Sequence, residues 1–355
     1  MKIEANKQII ESILINLQPF LEKKDASQIT SHILFTTEND TCIIKATDSE
    51  IGLKITTSNI LIIAEGSFTA NGKKLLDIIR ILKEDTITLE VIDSILHIKQ
   101  KHSKFKLPTF DAQAFPSFPT IENKPLISLD SLALIQNLKK ISPAIDTNNP
   151  KFELNGALIN IKKNATDLVG TDTRRLAIAS IEGEHTEELA LIIPKKAILE
   201  IQKLFLDKID IYYDETNVII VNENYYFYTR LINGKFPDYQ RIVPPSVKHA
   251  LLLPKKEMID AIKMITTISQ DIKITLLPDS IIFHSLSTDN VEAKTEIELH
   301  TGLHEKFELS FNSKYILDFI SQSNKNEFSL EFNETSLPFI VKDDNFMTII
   351  MPIVT

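Results

Sequence analysis

Three stretches of this chain carry apolar residues at helical spacing, and they recur at intervals of roughly 120 residues, the mark of an internal repeat. In the first, Ile9, Ile10, Ile13, Leu14, Leu17 and Leu21 share one helical face. Leu132, Ile135, Leu138 and Ile141 do so in the second, and Met258, Ile259, Ile262 and Ile265 in the third. The spacing predicts amphipathic helices over Asn6–Leu21, Leu129–Ile141 and Pro254–Ile268. Strand-like alternation with a central turn follows each helix, and Ala46–Leu53 answers Gly170–Ala177. A second helix is predicted in each third, around Lys73–Ile79, Lys195–Ile201 and Ser313–Phe319. There an apolar pair and an acidic residue follow the lysine at matching places. A closing hairpin follows, such as Ile209–Tyr213 with Val218–Val221 across Asp214–Asn217. Proline-rich junctions at Pro116–Pro125 and Pro237–Pro245 divide the chain into 1–120, 121–245 and 246–355. The expected fold class is α+β, three repeated modules, each with two helices packed on an antiparallel sheet.

The stretch Gly170-Thr171-Asp172-Thr173-Arg174-Arg175-Leu176-Ala177 holds the chemistry that most needs explaining. Asp and Thr favour a turn through side-chain bonds to nearby backbone. Leu176, Ile178 and Ile181 then read as a strand. Two adjacent arginines at a strand entrance point to opposite faces, so one must lie against the protein body or find an acceptor. Two readings stay open at this level: a solvated turn with surface cations, or an apolar pocket rimmed by arginine.

Composition narrows the classes. The chain has 355 residues, 43% hydrophobic and 25% charged, which suits two or three ordinary domains. No run of about 18 apolar residues could span a membrane. The opening Met1–Asn6 carries no apolar signal segment, so export is not expected and a cytoplasmic location is. The single Cys42 excludes an internal disulfide and sits in an apolar strand-like run, which fits a buried residue better than a nucleophile. Without export, the sequons at Asn164 and Asn333 carry no meaning.

No catalytic set stands out, and no phosphate loop, nucleophile elbow or zinc-ligand spacing is present. His300 and His304 have the spacing of a metal pair, but Gly302 between them indicates a turn. Asp48 and Asp172 occupy equivalent repeat positions, so a turn role covers both. No cofactor or metal is expected. The net charge of −9 argues against bulk attraction to nucleic acid, yet a local basic face remains open. Lys73-Lys74, Lys195-Lys196 and Lys255-Lys256 stand at predicted helix starts, where cations oppose the helix dipole. Their repetition asks for an external anion, and phosphate suits lysines at helix N-termini.

Asn233-Gly234-Lys235-Phe236-Pro237-Asp238-Tyr239-Gln240-Arg241-Ile242-Val243-Pro244, the ending Ile349-Ile350-Met351-Pro352, Leu154-Asn155-Gly156 and the Asp172 turn together resemble the bacterial DNA polymerase III β sliding clamps. The likeness covers the whole chain. It implies DNA-clamp modules, three per chain, in a ring-forming, head-to-tail homodimer around duplex DNA, a non-enzymatic processivity factor. A size check agrees: twelve helices at ~10 Å spacing enclose a circumference of ~120 Å and a centre-to-centre diameter near ~38 Å. Removing about one helix diameter leaves ~28 Å, enough for a duplex.

The resemblance also implies sites. A peptide-binding pocket would comprise Leu154, Thr171, Thr173, Arg174, Arg175, Leu176, Pro237, Arg241, Ile242, Ile349, Met351, Pro352 and Ile353. It would hold short motifs of the replicative DNA polymerase, the clamp loader, and repair and translesion factors. Lys24, Lys73, Asn148, Lys195 and Lys196 match sequence-independent DNA contacts, and Phe152 is kept in kind while Glu153 is acidic. The homodimer interface would pair Phe105 and Leu107, flanked by Lys104 and Lys106, with Ile265 or Ile268 and Glu292, Glu296 and Glu298. Two departures stand out. The family commonly has Gly-His where Thr173-Arg174 stand, and Met-Arg-Leu where Ile353-Val354-Thr355 stand. A carbohydrate or nucleotide enzyme using Asp48 and Asp172 would need catalytic carboxylate pairs or phosphate loops that the sequence lacks. A non-DNA, protein-binding repeat scaffold is the remaining alternative, and it predicts no retention on circular DNA.

Overall fold

The computed structural model describes residues 1–25, 27–287 and 291–353. The first third runs β1 (Lys2–Asn6), α1 (Lys7–Leu17), β2 (His32–Glu38), β3 (Thr41–Thr47), β4 (Ile51–Thr57), β5 (Leu61–Ala64), β6 (Ser67–Asn71), α2 (Gly72–Ile81), β7 (Thr86–Ile92), β8 (Ile95–Gln100) and β9 (Ser103–Pro108). The second runs α3 (Ser131–Ile141), β10 (Gly156–Lys162), β11 (Ala165–Thr171), β12 (Arg175–Glu182), β13 (Leu189–Pro194), α4 (Lys195–Leu204), β14 (Asp210–Tyr213), β15 (Asn217–Val221) and β16 (Tyr225–Arg230). The last runs β17 (His249–Pro254), α5 (Lys255–Thr266), β18 (Asp271–Leu276), β19 (Ser280–Ser285), β20 (Lys294–Glu298), β21 (Phe307–Asn312), α6 (Ser313–Gln322), β22 (Glu327–Phe332), β23 (Phe339–Asp343) and β24 (Phe346–Ile350). This is the α+β, antiparallel, three-part architecture that the periodicity predicts.

Helix ends follow local chemistry. Asn6, Asn71 and Asn312 cap α1, α2 and α6, each accepting a backbone N–H from the first turn. The first helix stops at Leu17, short of the expected Leu21, because Pro19 turns the chain into a 3₁₀ segment, Gln18–Phe20. Pro143 does the same after α3. The predicted hairpin forms as β14 and β15. Cys42 is buried in β3, and burial pushes its thiol up to about 12, far from nucleophilic.

The sheets do not respect the thirds. Two compact units are present: 1–131 with 203–231, and 132–202 with the chain from 232 onward. In the first unit, one sheet has the order β5-β1-β7-β8-β9 and the other β14-β15-β16-β4-β3-β2-β6. In the second unit the orders are β13-β10-β11-β12-β24-β23-β22-β17 and β20-β19-β18-β21. Thus β16, last strand of the second third, pairs antiparallel with β4 of the first. Likewise β24, last strand of the final third, pairs with β12 of the second. Each junction satisfies two open ladders at once, the physical reason for sharing a sheet. By this rule β9 and β20 are left at the ends of their sheets.

Helix packing on the second unit's larger sheet is close. A Cβ on Gly170 would lie 2.9 Å from Ile145 Cγ1 and 3.0 Å from the Ile141 carbonyl oxygen, so only glycine lets the end of α3 approach β11. Among the described residues no helix is long and apolar enough to cross a membrane.

Candidate peptide-binding groove, sheet edges and basic positions

The turn between β11 and β12 is built by its own side chains. Asp172 Oδ1 accepts the Arg174 and Arg175 N–H groups at 3.0 Å each. Thr171 Oγ1 accepts the Thr173 N–H at 3.1 Å and donates to the Arg175 carbonyl at 2.6 Å. The cost is a positive φ of 71° at Thr173, strained for a β-branched residue. A glycine at this position would be free of that strain.

The two arginines divide as alternation requires. Arg175 turns inward with its side chain 4% exposed. Its Nε donates to Asp172 Oδ2 at 3.0 Å, Nη1 to Asp318 Oδ2 on α6 at 2.7 Å and Nη2 to the Pro143 carbonyl at 2.5 Å. Its guanidinium also lies 4.6 Å from the centroid of the Tyr315 ring. Each of its three nitrogens has an acceptor supplied from within the protein, so Arg175 supports the turn from beneath. Arg174 stays exposed and is the arginine left at the rim.

Register then assembles an apolar floor on the opposite face. Leu176 stands opposite both Thr171 and Ile349, and Ile349 opposite Ile340. Two residues along, Ile192, Leu158, Val169, Ile178 and Met347 form a second row across five strands. Opposed residues of an antiparallel pair share a face, so these rows are contiguous. Leu154, Phe236 and Tyr239 close over them, with Ile232 and Val243 packed alongside. Ile242 and Met351, 44% and 42% exposed, leave apolar surface at the margin. The tail is tied in place: the Met351 N–H donates to the Arg174 carbonyl at 2.9 Å and the Ile353 N–H to the Ser310 carbonyl at 2.7 Å. Arg241 is exposed and pairs with Asp238 at 2.8 Å.

The expected pocket residues occupy different layers, and Thr171, half-buried, spends its hydroxyl within the turn. Leu154, Leu176 and Ile349 are floor, Arg175 is a support, and Thr173, Arg174, Pro237, Arg241, Ile242 and Met351 are rim, with Pro352 and Ile353 continuing the tail. Val354 and Thr355 lie outside the described residues.

Sequence reasoning missed Leu158, Val169, Ile178, Ile340, Phe236 and Tyr239. A signal was available for Phe236 and Tyr239, which stand on either side of Pro237 in the quoted motif, but not for the four strand residues. Tyr239 donates to buried Asp167 Oδ2 at 2.7 Å and accepts from Asn160 Nδ2 at 2.9 Å. Asp167 also binds Ser180 at 2.7 Å and Lys162 at 2.5 Å. Burial pushes this carboxyl up, but the Lys162, Tyr239 and Ser180 bonds outweigh it and hold it below the ordinary range. Burial beside that carboxylate raises the Tyr239 phenol. A cleft of about 780 Å³ borders the same connecting segment, lined by Asn160, Lys162, Lys163, Glu188 and residues 234–240.

The lysines at helix starts are answered partly from within. Lys195 Nζ donates to the Ile145 carbonyl, and its burial with Arg175 nearby lowers its pKa. Lys255 Nζ donates to the Ser323 carbonyl at 2.8 Å. Moreover, Lys255 opens the first helix of its third, as Lys7 does, whereas Lys73 and Lys195 belong to second helices. Their places do not match across the thirds in the way the sequence reading assumed. Lys24, Lys73, Asn148 and Lys196 are exposed, as is Phe152.

Five of the proposed interface positions lie on or beside two of the terminal strands, β9 and β20. Phe105 and Leu107 lie on β9, and Glu296 and Glu298 on β20, with Glu292 just before it. Ile265 is in the core at 1% exposure, whereas Ile268, beyond α5, is 39% exposed, so of the two only Ile268 offers surface. His300 pairs with Asp279 at 2.8 Å in an exposed loop, and among the described residues no group of three or more His, Cys, Asp or Glu is placed to hold a metal ion.

Models of the DNA polymerase III beta subunit match the chain in order: the N-terminal domain over residues 1–119, the central domain over 128–238 and the C-terminal domain over 240–354. The beta sliding clamp of Helicobacter pylori strain J99 is 40% identical over 352 residues, covering 97% of this chain and 94% of that protein. That of Staphylococcus aureus is 28% identical over 333 residues, 88% of each. The solved structure of the Helicobacter pylori beta clamp bound to a DNA ligase peptide superposes with a TM-score of 0.93 at 40% identity, covering 100% of both chains. The Pseudomonas aeruginosa beta subunit, at 22% identity and a TM-score of 0.90 over 100% of both chains, shares the fold. With sequence and fold in agreement from end to end, the chain belongs to the DNA polymerase III beta subunit family, the beta sliding clamps, non-catalytic processivity subunits that tether partner proteins.

Proposed function

We propose that two copies of this chain join head to tail through β9 and β20, closing a ring of six modules (1–120, 121–245 and 246–355 in each copy) around duplex DNA. The observation that carries this reading is the junction rule. Lys54, Ile178 and Lys294 are equivalent, each reached by the same two-pair walk from the strand that precedes it. Tyr226, Met347 and Lys104 are equivalent by their hairpins. The internal junctions pair Lys54 with Tyr226 and Ile178 with Met347. Repetition in a second copy sets Lys104 against Lys294, Phe105 against Ala293, Lys106 against Glu292 and Leu107 against Val291. Phe105 and Leu107 then share the inward face with Val291, while Lys106 faces Glu292 and Lys104 lies diagonal to Glu292 and Glu296. A heterologous contact of this kind closes when its rotation does, and three equivalent junctions per copy make two copies a circle.

Within the ring, Lys24, Lys73, Asn148 and Lys196 contact phosphates without reading bases, and Lys195, anchored on the Ile145 carbonyl, adds positive charge beside them, so hold on DNA is weak, salt-sensitive and mobile. Retention is topological. The groove anchors a Leu or Phe of a short partner peptide, each buried side chain contributing about 1.5–3 kcal/mol. Its occupants are the replicative polymerase, the clamp loader, and repair and translesion factors, a DNA ligase peptide on the Helicobacter pylori relative being a precedent. The chain acts in the cytoplasm. The test is loading onto nicked circular plasmid followed by linearisation. Prompt release from the ends is expected, with Phe105→Asp giving a monomer that never loads. Retention on linear DNA, or a monomeric parent chain by sedimentation, refutes the ring.

A further inference from the structure

The first unit contains a second copy of the groove's backbone. Gly52 pairs with Tyr228 there as Leu176 pairs with Ile349 in the second unit. The turn feeding β4 repeats the turn feeding β12. Asp48 Oδ1 accepts the Glu50 and Ile51 N–H groups at 2.9 Å each, Thr47 Oγ1 donates to the Ile51 carbonyl at 2.8 Å, and Ser49 takes φ 78°. The strand exit repeats too, since the Arg230 N–H donates to the Glu50 carbonyl at 2.8 Å. Phe118 follows Phe115-Pro116 as Tyr239 follows Phe236-Pro237. The fold therefore repeats the backbone frame of the proposed groove twice per chain, and side chains decide how many can bind.

Those side chains differ where a ligand would sit. In place of the Leu176–Ile349 floor, the Tyr228 ring lies across Gly52 so closely that a Cβ at 52 would fall 2.2 Å from Tyr228 Cε1. Tyr228 is buried, its hydroxyl 2.6 Å from Thr47 Oγ1, and Phe118 meets its ring edge-on at 4.8 Å. Val169 and Ile178 are replaced by Lys45 and Lys54, whose ammonium groups lie 5.7 Å and 4.5 Å from the Phe118 and Tyr226 ring centroids. At the rim, Arg230 and Glu50 pair at 3.7 Å where the second unit has Met351 and Arg174.

We propose that Tyr228 limits this chain to one peptide site, filling from within a degenerate second groove between β4 and β16 that would otherwise take the same class of ligand, a short peptide anchored by Leu or Phe. The inference rests on the groove reading above. A tethered phenol acts at high effective concentration and loses little freedom on docking, so an external side chain cannot displace it. The pair Gly52/Tyr228 is the closed alternative to Leu176/Ile349.

The probe is the fluorescein-labelled DNA ligase peptide of the kind bound by the Helicobacter pylori clamp, titrated by anisotropy and calorimetry. The parent chain should bind one peptide, and deletion from Met351 onward should remove it. No binding by the parent, or binding unchanged by the deletion, overturns the groove reading itself. With that established, Gly52→Leu/Tyr228→Ile should bind two peptides per chain. In the tail-deleted background it should bind one, at least tenfold more tightly than the tail-deleted parent. A folded, dimeric double variant without that gain overturns the proposal. A second measurement covers poor folding: Gly52→Ala should lower the melting temperature when Tyr228 is present and be tolerated after Tyr228→Ala. Equal losses in both backgrounds overturn the claim that the ring fills the site.

Discussion

Replacing each of the adjacent arginines by alanine separates support from recognition. Arg175 makes three bonds at 2.5–3.0 Å from a side chain that is almost wholly buried. Removing one partner of a buried charge pair costs about 3–5 kcal/mol. The low end applies here, because Asp172 and Asp318 keep 21% and 23% side-chain exposure and Lys314 also binds Asp318 at 2.5 Å. About 3 kcal/mol in a unit of ~200 residues corresponds to a fall of roughly 6–12 °C in its melting temperature. Arg174, exposed and bonded to the turn only through its backbone, should shift melting by less than about 2 °C. It should instead weaken peptide binding. Scanning calorimetry is the right assay, since two compact units need not melt as one transition. An Arg175→Ala variant that melts within about 2 °C of the parent would refute the reasoning. So would an Arg174→Ala variant as unstable as Arg175→Ala.

Three further outcomes are expected. Thr173→Gly should raise stability by about 0.5–1 kcal/mol, because relief of positive-φ strain at 71° outweighs the extra chain entropy of glycine; a lower denaturant midpoint would contradict this. Deleting the chain from Met351 onward removes two backbone bonds and apolar rim surface, yet leaves β9 and β20 intact, so peptide binding should vanish while the sedimentation mass stays dimeric. His32 is 3% exposed and stacked on Phe110 at 4.1 Å; burial, with Lys74 nearby, holds it down at about 4 instead of 6.5. Above pH 6.5 it is neutral folded or unfolded. As pH falls from 6.5 to about 4 the unfolded chain alone gains the proton, so stability drops by about 3 kcal/mol, and His32→Gln should flatten that limb of the pH profile.

Much of this molecule is local and was legible in the chain. The three helix stripes, the turns at Asp48 and Asp172 and the hairpin at Asp214 each depend on residues a few positions apart, so spacing alone specifies them. The one-inside, one-outside division of Arg174 and Arg175 also follows from strand alternation, although which arginine turns inward does not. Family likeness marked the groove's rim, because Pro237, Arg241 and Met351 stand in recognisable runs. Of the floor, Leu154, Leu176 and Ile349 were marked in the same way, but Leu158, Val169 and Ile340 look like any strand residues until β10, β11, β12, β24 and β23 are laid side by side.

Tertiary structure alone decided three things. It paired β16 with β4 and β24 with β12, a choice no helical or strand period encodes, because ladder partners lie more than 160 residues apart in each case. It buried Ile265 while leaving Ile268 outside, since the helix ends between them at Thr266. It also showed that two lysines at helix starts already hold internal carbonyls. Short-range chemistry writes elements into a sequence, whereas the meeting of open edges, and so what is left exposed to act, emerges only when those elements pack.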